Sequence, residues 1–99
     1  MKCKLNRNAA KYFKKLLATE EAEGKMIRVF VTHQHGDHAH YDYMLDTPTE
    51  NDEVVHTDKE IDIILEKNNP FLDGVWLQYF YVPREEMSIT NPSFGHHHH

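Results

Sequence analysis

The stretch Met26-Ile27-Arg28-Val29-Phe30-Val31-Thr32-His33-Gln34-His35-Gly36-Asp37-His38-Ala39-His40-Tyr41-Asp42-Tyr43-Met44-Leu45 decides how this chain is read. Apart from Arg28, its first seven residues are β-branched, aromatic or long and apolar, the composition of a strand. Its last five set Tyr41, Tyr43 and Leu45 against Asp42 and Met44, the two-residue period of a half-buried strand. Between them lie four of the five histidines outside the C-terminal run. Gly36-Asp37, at the centre, is a turn signal that would bring His33 and His35 back against His38 and His40.

Towards the N-terminus, Lys2 to Leu5 reads as a short edge strand. Asn6 or Asn8 can cap a helix, accepting a bond from a free N–H of the first turn. Ala10, Phe13, Leu16 and Leu17 fall on one helical face with Lys11, Lys14 and Lys15 opposite, and Gly24 is the expected stop. Towards the C-terminus, Thr47 to Asp52 is a polar loop. Val54 to His56 and Ile61 to Leu65 flank a turn at Thr57-Asp58-Lys59-Glu60. Asn68-Asn69-Pro70 and Asp73-Gly74 interrupt the pattern before the longest strand, Val75 to Val82, and Ser88 to Thr90 is a last short one. One N-terminal helix and about six short strands predict an α+β domain, the helix packed on a twisted, mostly antiparallel sheet of sandwich or barrel-like form. Residues 1–95 form the expected domain, and His96 to His99 read as the remnant of a purification tag. Phe71, Leu72, Trp76 and Phe80 are the expected aromatic and aliphatic core. Leu77, Tyr79 and Tyr81 share the other strand face, suited to self-association if nothing covers it.

Composition narrows the function. Of 99 residues, 39% are hydrophobic and 27% charged, with a formal net charge of −5. That acidic balance argues against nucleic acid, whose phosphates call for clustered Lys and Arg. Seven of the eleven basic residues nevertheless lie within the first 25 positions, as a solvated face or as a docking surface for an acidic partner. No apolar run approaches the roughly 20 residues that span a bilayer, and no apolar signal core opens the chain, so a cytoplasmic protein without membrane contact is expected. The single cysteine, Cys3, excludes an internal disulfide and any Cys-x-x-Cys site. No Gly-x-Ser-x-Gly elbow and no phosphate-cradling glycine loop occurs.

Three readings compete for the histidines. Imidazole is the commonest nitrogen ligand of transition metals, so His33, His35, Asp37, His38 and His40 are candidate ligands for zinc or iron. The letters His33-x-His35-x-Asp37-His38 also match the first metal signature of the metallo-β-lactamase hydrolases. Those enzymes are much longer four-layer folds that need further ligands from later strands, and only His56 remains downstream. The third reading is a solvated polar connection with incidental histidines.

Taken together the chain resembles the HesB-like family, the A-type iron–sulfur cluster assembly proteins. The resemblance rests on ordered, individually weak motifs across residues 2 to 92: a short strand, then a capped helix with an Ala-Ala pair (Asn6-Arg7-Asn8-Ala9-Ala10-Lys11), then the Ile27-Arg28-Val29-Phe30-Val31 strand. A glycine-containing loop, the aromatic strand Tyr41 to Leu45, Leu72-Asp73-Gly74 before Val75 to Tyr81, and Ile89-Thr90-Asn91-Pro92 complete it. The family holds iron or a cluster through one cysteine in that loop, falling near Gly36, and a Cys-Gly-Cys near the C-terminus. None of these thiolates is present here, so an intact cluster is not expected. The resemblance implies the fold and places the histidines where the family binds metal. The expectation is a non-enzymatic accessory or metal-binding protein working with other assembly or acceptor proteins, the alternative being a metal-free protein-interaction module; homodimers are expected on the same grounds.

Overall fold

The helix begins where Asn6 stops the first strand. In the computed structural model, which describes residues 1–93, Asn6 Oδ1 accepts from the Ala9 N–H at 2.7 Å and from the Tyr79 N–H at 3.1 Å. Asn6 Nδ2 donates to the Tyr79 carbonyl at 3.4 Å, and the Asn6 N–H donates to the Leu77 carbonyl at 3.0 Å. One side chain therefore caps α1 (Arg7–Leu17) and extends the pairing of β1 (Cys3–Leu5) with β6 (Val75–Phe80). Ala9, Ala10 and Phe13 form the buried face of α1, the two alanines allowing close approach to the strands beneath.

Gly24 is not the helix stop. The helix ends at Leu17 with Ala18 as its cap, Thr19 Oγ1 donates to the Leu16 carbonyl, and a 3-10 turn spans Glu20–Ala22. Gly24, at φ +75°, instead turns the chain into the next strand. Residues 94–99, which include the tag run and the last two positions of the expected domain, lie outside the described residues.

Five further strands complete the fold: β2 (Met26–His35), β3 (His38–Asp46), β4 (Asp52–His56), β5 (Asp62–Glu66) and β7 (Glu86–Thr90). They form a three-stranded sheet in the order β1-β6-β7 and a four-stranded sheet in the order β3-β2-β5-β4. Both sheets are mixed. The hairpins β2–β3, β4–β5 and β6–β7 are antiparallel, as expected, but β1–β6 and β2–β5 are parallel. Three of the five ladders are antiparallel, in keeping with a mostly antiparallel arrangement, while the two parallel ladders and the division into two sheets were not foreseen. Parallel pairing joins strands far apart in sequence, so no local turn signal announces it.

One hydrophobic cluster draws on both sheets and the helix: Leu5, Phe13, Ile27, Val29, Ile63, Leu65, Leu72, Val75 and Leu77 are buried in it. The expected core is right at Leu72 and wrong at the aromatics of β6. Val75 and Leu77 point inward, while Trp76 is half-buried and Phe80 is 38% exposed on the opposite face. Tyr79 lies inward too, stacked on Tyr12 of the helix at 4.6 Å between ring centroids. The face expected to be free is thus the one the helix covers. A strand apolar on both faces leaves its phase undetermined until the helix packs, and close helix packing favours the slimmer side chains.

Two polar clusters fix the ends of the long β2–β3 hairpin. At its base, Arg28 Nε donates to Asp46 at 2.7 Å, and its two terminal nitrogens donate to Asp52 at 2.8 and 2.6 Å. The Asp52 side chain is only 3% exposed, and this guanidinium holds its carboxyl well below the usual carboxylate range. Higher up, Tyr41 Oη donates to the Phe71 carbonyl at 2.7 Å. The buried Asn91 donates from Nδ2 to the carbonyls of Phe71 and Asp73, and its Oδ1 accepts from the Ser93 N–H. Asn91-Pro92 is therefore a structural joint that brings the end of β7 beside β3.

Candidate functional site

The histidines do not lie on a loop. They belong to the paired ends of β2 and β3, joined by the two residues Gly36-Asp37, with His35 opposite His38 and His33 opposite His40. Gly36 has φ +56°, and glycine at the first central position with only that residue at positive φ is the pattern of a type II′ hairpin turn. Nothing lies within 4 Å of where a Cβ on Gly36 would sit, so backbone conformation rather than space demands glycine there.

A bulge decides which way the imidazoles point. Val31 pairs with Tyr41, but the next pair is His33 with His40, leaving Thr32 as an extra residue. Along β3 the alternation is unbroken: His38, His40, Asp42 and Met44 are exposed, whereas Ala39, Tyr41, Tyr43 and Leu45 are half-buried. Directly paired residues share a face. The extra residue therefore shifts His33 and His35 out of the inward phase of Val29 and Val31, onto the outer face with His38 and His40.

On that face His33 Nε2 and His35 Nε2 stand 2.5 Å apart, their rings edge to face with centroids 4.1 Å apart. The His40 ring centroid is 6.1 Å from that of His33, and His38 Nε2 is 3.6 Å from Asp37 Oδ1. In this contact one ring nitrogen donates and the other accepts; to ligate one zinc at about 2.0–2.1 Å each in tetrahedral geometry, the two would move apart to about 3.3 Å. The turn was expected to bring His33 and His35 back against His38 and His40; the ring nitrogens in contact belong instead to two residues of one strand. Among the described residues no group of three His, Cys, Asp or Glu is gathered around a single metal position. His40 is the nearest source of a third nitrogen, and its exposed side chain is free to change rotamer.

Beside the hairpin, a cleft of about 330 Å³ runs between His38, His40 and Tyr41 on one side and Ile89, Thr90 and Asn91 on the other. The joint at Asn91 holds its walls together. Cys3 takes no part. It is buried in the core, where desolvation pushes its thiol up to about 12, so it is neither nucleophile nor ligand at neutral pH.

Some functional geometry was hidden in the sequence. The Arg28–Asp46–Asp52 cluster left only a faint trace, two aspartates bounding the polar loop after an arginine in the preceding strand. Neither the Thr32 bulge nor the pairing of helix and β4–β5 turn described below had any local signal. Compared with known protein families and with curated proteins, the chain matches none.

Proposed function

We propose that this protein is a divergent member of the HesB-like family, lacking the cluster cysteines, that binds a transition-metal ion through the histidine hairpin and acts as an accessory rather than an enzyme. The observation that carries the metal reading is the meeting of His33 and His35 ring nitrogens at 2.5 Å, on one outer face with His38 and His40. The family reading is supported by the order of elements: a short strand, a capped helix with buried Ala9 and Ala10, the Arg28–Val29 strand, a turn at Gly36, and the Asn91–Pro92 joint. An all-imidazole face favours zinc over ferrous iron. A cluster is not part of the proposal, because the one thiol is buried away in β1. The accessory role places it among cytoplasmic assembly or acceptor proteins.

The test is zinc titration of protein freed of its terminal histidines, which would bind metal themselves. We expect about one zinc per chain, a rise in Tm on binding, and loss of both in His33→Ala/His35→Ala. Uptake should weaken on acidification, because a protonated imidazole has no lone pair to give the metal. The metal-free Tm of the variant should match wild type, since exposed substitutions are usually worth less than about 0.5 kcal/mol. A wild type with no zinc-dependent rise in Tm removes the metal proposal and leaves the fold untouched.

A further inference from the structure

The cationic face of α1 is half of a cleft, and the other half comes from a distant part of the chain. The turn between β4 and β5 closes against the helix to form a cleft of about 560 Å³. Arg7, Lys11, Lys14 and Lys15 line it from the helix, and Lys59 joins them from the turn. These helix positions recur at three- and four-residue spacing, so they form one continuous stripe. Ala10 and Ala18 make the floor between them, where small side chains let another backbone come close.

The charge balance of this cleft is opposite to that of the protein. Five cations face two carboxylates, Asp58 and Glu60, in a chain with 16 acidic residues and a net charge of −5. Elsewhere in the fold both other arginines are ion-paired, Arg28 with Asp46 and Asp52 and Arg84 with Glu86, and within the cleft Lys59 is partly paired with Asp58 at 3.5 Å. Among the described residues no ion pair engages Arg7, Lys11, Lys14 or Lys15. Like charges held together along a short helix repel, a cost that an anionic partner relieves.

We infer that this cleft docks an acidic segment of a partner protein, an Asp/Glu-rich peptide lying along α1 with its carboxylates over the lysines. A peptide fits better than nucleic acid because the cationic field is confined to one short helix and a turn, while the rest of the molecule would repel a phosphate backbone. This surface is separate from the histidine hairpin, so the inference stands whether or not metal binds there.

Fluorescence anisotropy of a labelled peptide repeating Glu-Glu-Leu tests it, with intact protein lacking the terminal histidines. Wild type should bind, weakening about tenfold from low to physiological ionic strength as the surface charges are screened. Lys11→Glu/Lys15→Glu should abolish binding, and so should Lys14→Glu/Lys15→Glu, with Tm confirming that each variant is folded. Lys4→Glu/Lys25→Glu makes the same change in net charge outside the cleft and should bind as wild type does. Equal loss in that control would reduce the effect to net charge and overturn the site. Failure of wild type to bind the peptide, or tighter binding of a single-stranded oligonucleotide of equal charge, would overturn the proposed partner.

Discussion

Asn6 shows how much one side chain can hold. It accepts from the first turn of α1, accepts from the Tyr79 N–H and donates to the Tyr79 carbonyl, so it is both helix cap and strand surrogate. Asn6→Ala should cost about 2 kcal/mol or more, the loss of a cap plus an unpaired strand amide. Asn6→Asp keeps both accepted bonds, places a negative charge at the helix N-terminus and loses only the donated one, so it should recover most of the loss. Thermal denaturation of the three proteins checks the order. Asp52 is the second such residue. Its carboxyl titrates lower in the folded protein than in the unfolded chain because Arg28 holds it, and Asp46 shifts the same way for the same reason. Their contribution is complete above the unfolded carboxylate pKa of about 4 and is lost as pH falls through the lower folded values. Asp52→Asn should cost about 2 kcal/mol at neutral pH and flatten the stability profile below pH 4, measured by urea denaturation. An unchanged acid limb would show that Arg28 does not stabilise the ionised carboxyl.

At the scale of elements, two phases matter. In β2 one extra residue, Thr32, separates a core-facing strand from an outward-facing surface of histidines. The sequence announced the histidines and the turn, but bulges arise from the register of two strands and leave no mark in either alone. The zinc binding proposed for this hairpin therefore depends on backbone pairing as much as on residue type. In β6 the alternation was legible and its direction was not. Val75, Leu77 and Tyr79 pair with Cys3, Leu5, Ile89 and Met87 beneath the helix, and Trp76 and Phe80 pair with Lys4, Thr90 and Glu86 outside it.

For the whole molecule, the proposed self-association moves to the outer face of β6, where Phe80 is 38% exposed, next to the exposed Val82 in the turn that follows. Wild type should sediment as a dimer at high micromolar concentration, and Phe80→Lys, opposite Glu86, as a monomer with little change in Tm. A monomeric wild type at that concentration would sink the expectation. Among the described residues no helix is long and apolar enough to cross a membrane.

The sequence by itself determined the α+β class, a helix cap at Asn6 or Asn8, the β2–β3 and β4–β5 hairpins, and the crowding of imidazoles around one turn. Each is a local property, set by side chains within a few residues of one another: an amide before an apolar helix, a glycine between two strands, a two-residue alternation. Tertiary structure decided the parallel ladders, the inward face of β6, the outward face shared by the histidines, and the cleft that sets Lys59 beside the helix stripe. These depend on contacts between residues far apart in the chain, where the free energy of closing one core chooses among arrangements that local pattern leaves equal.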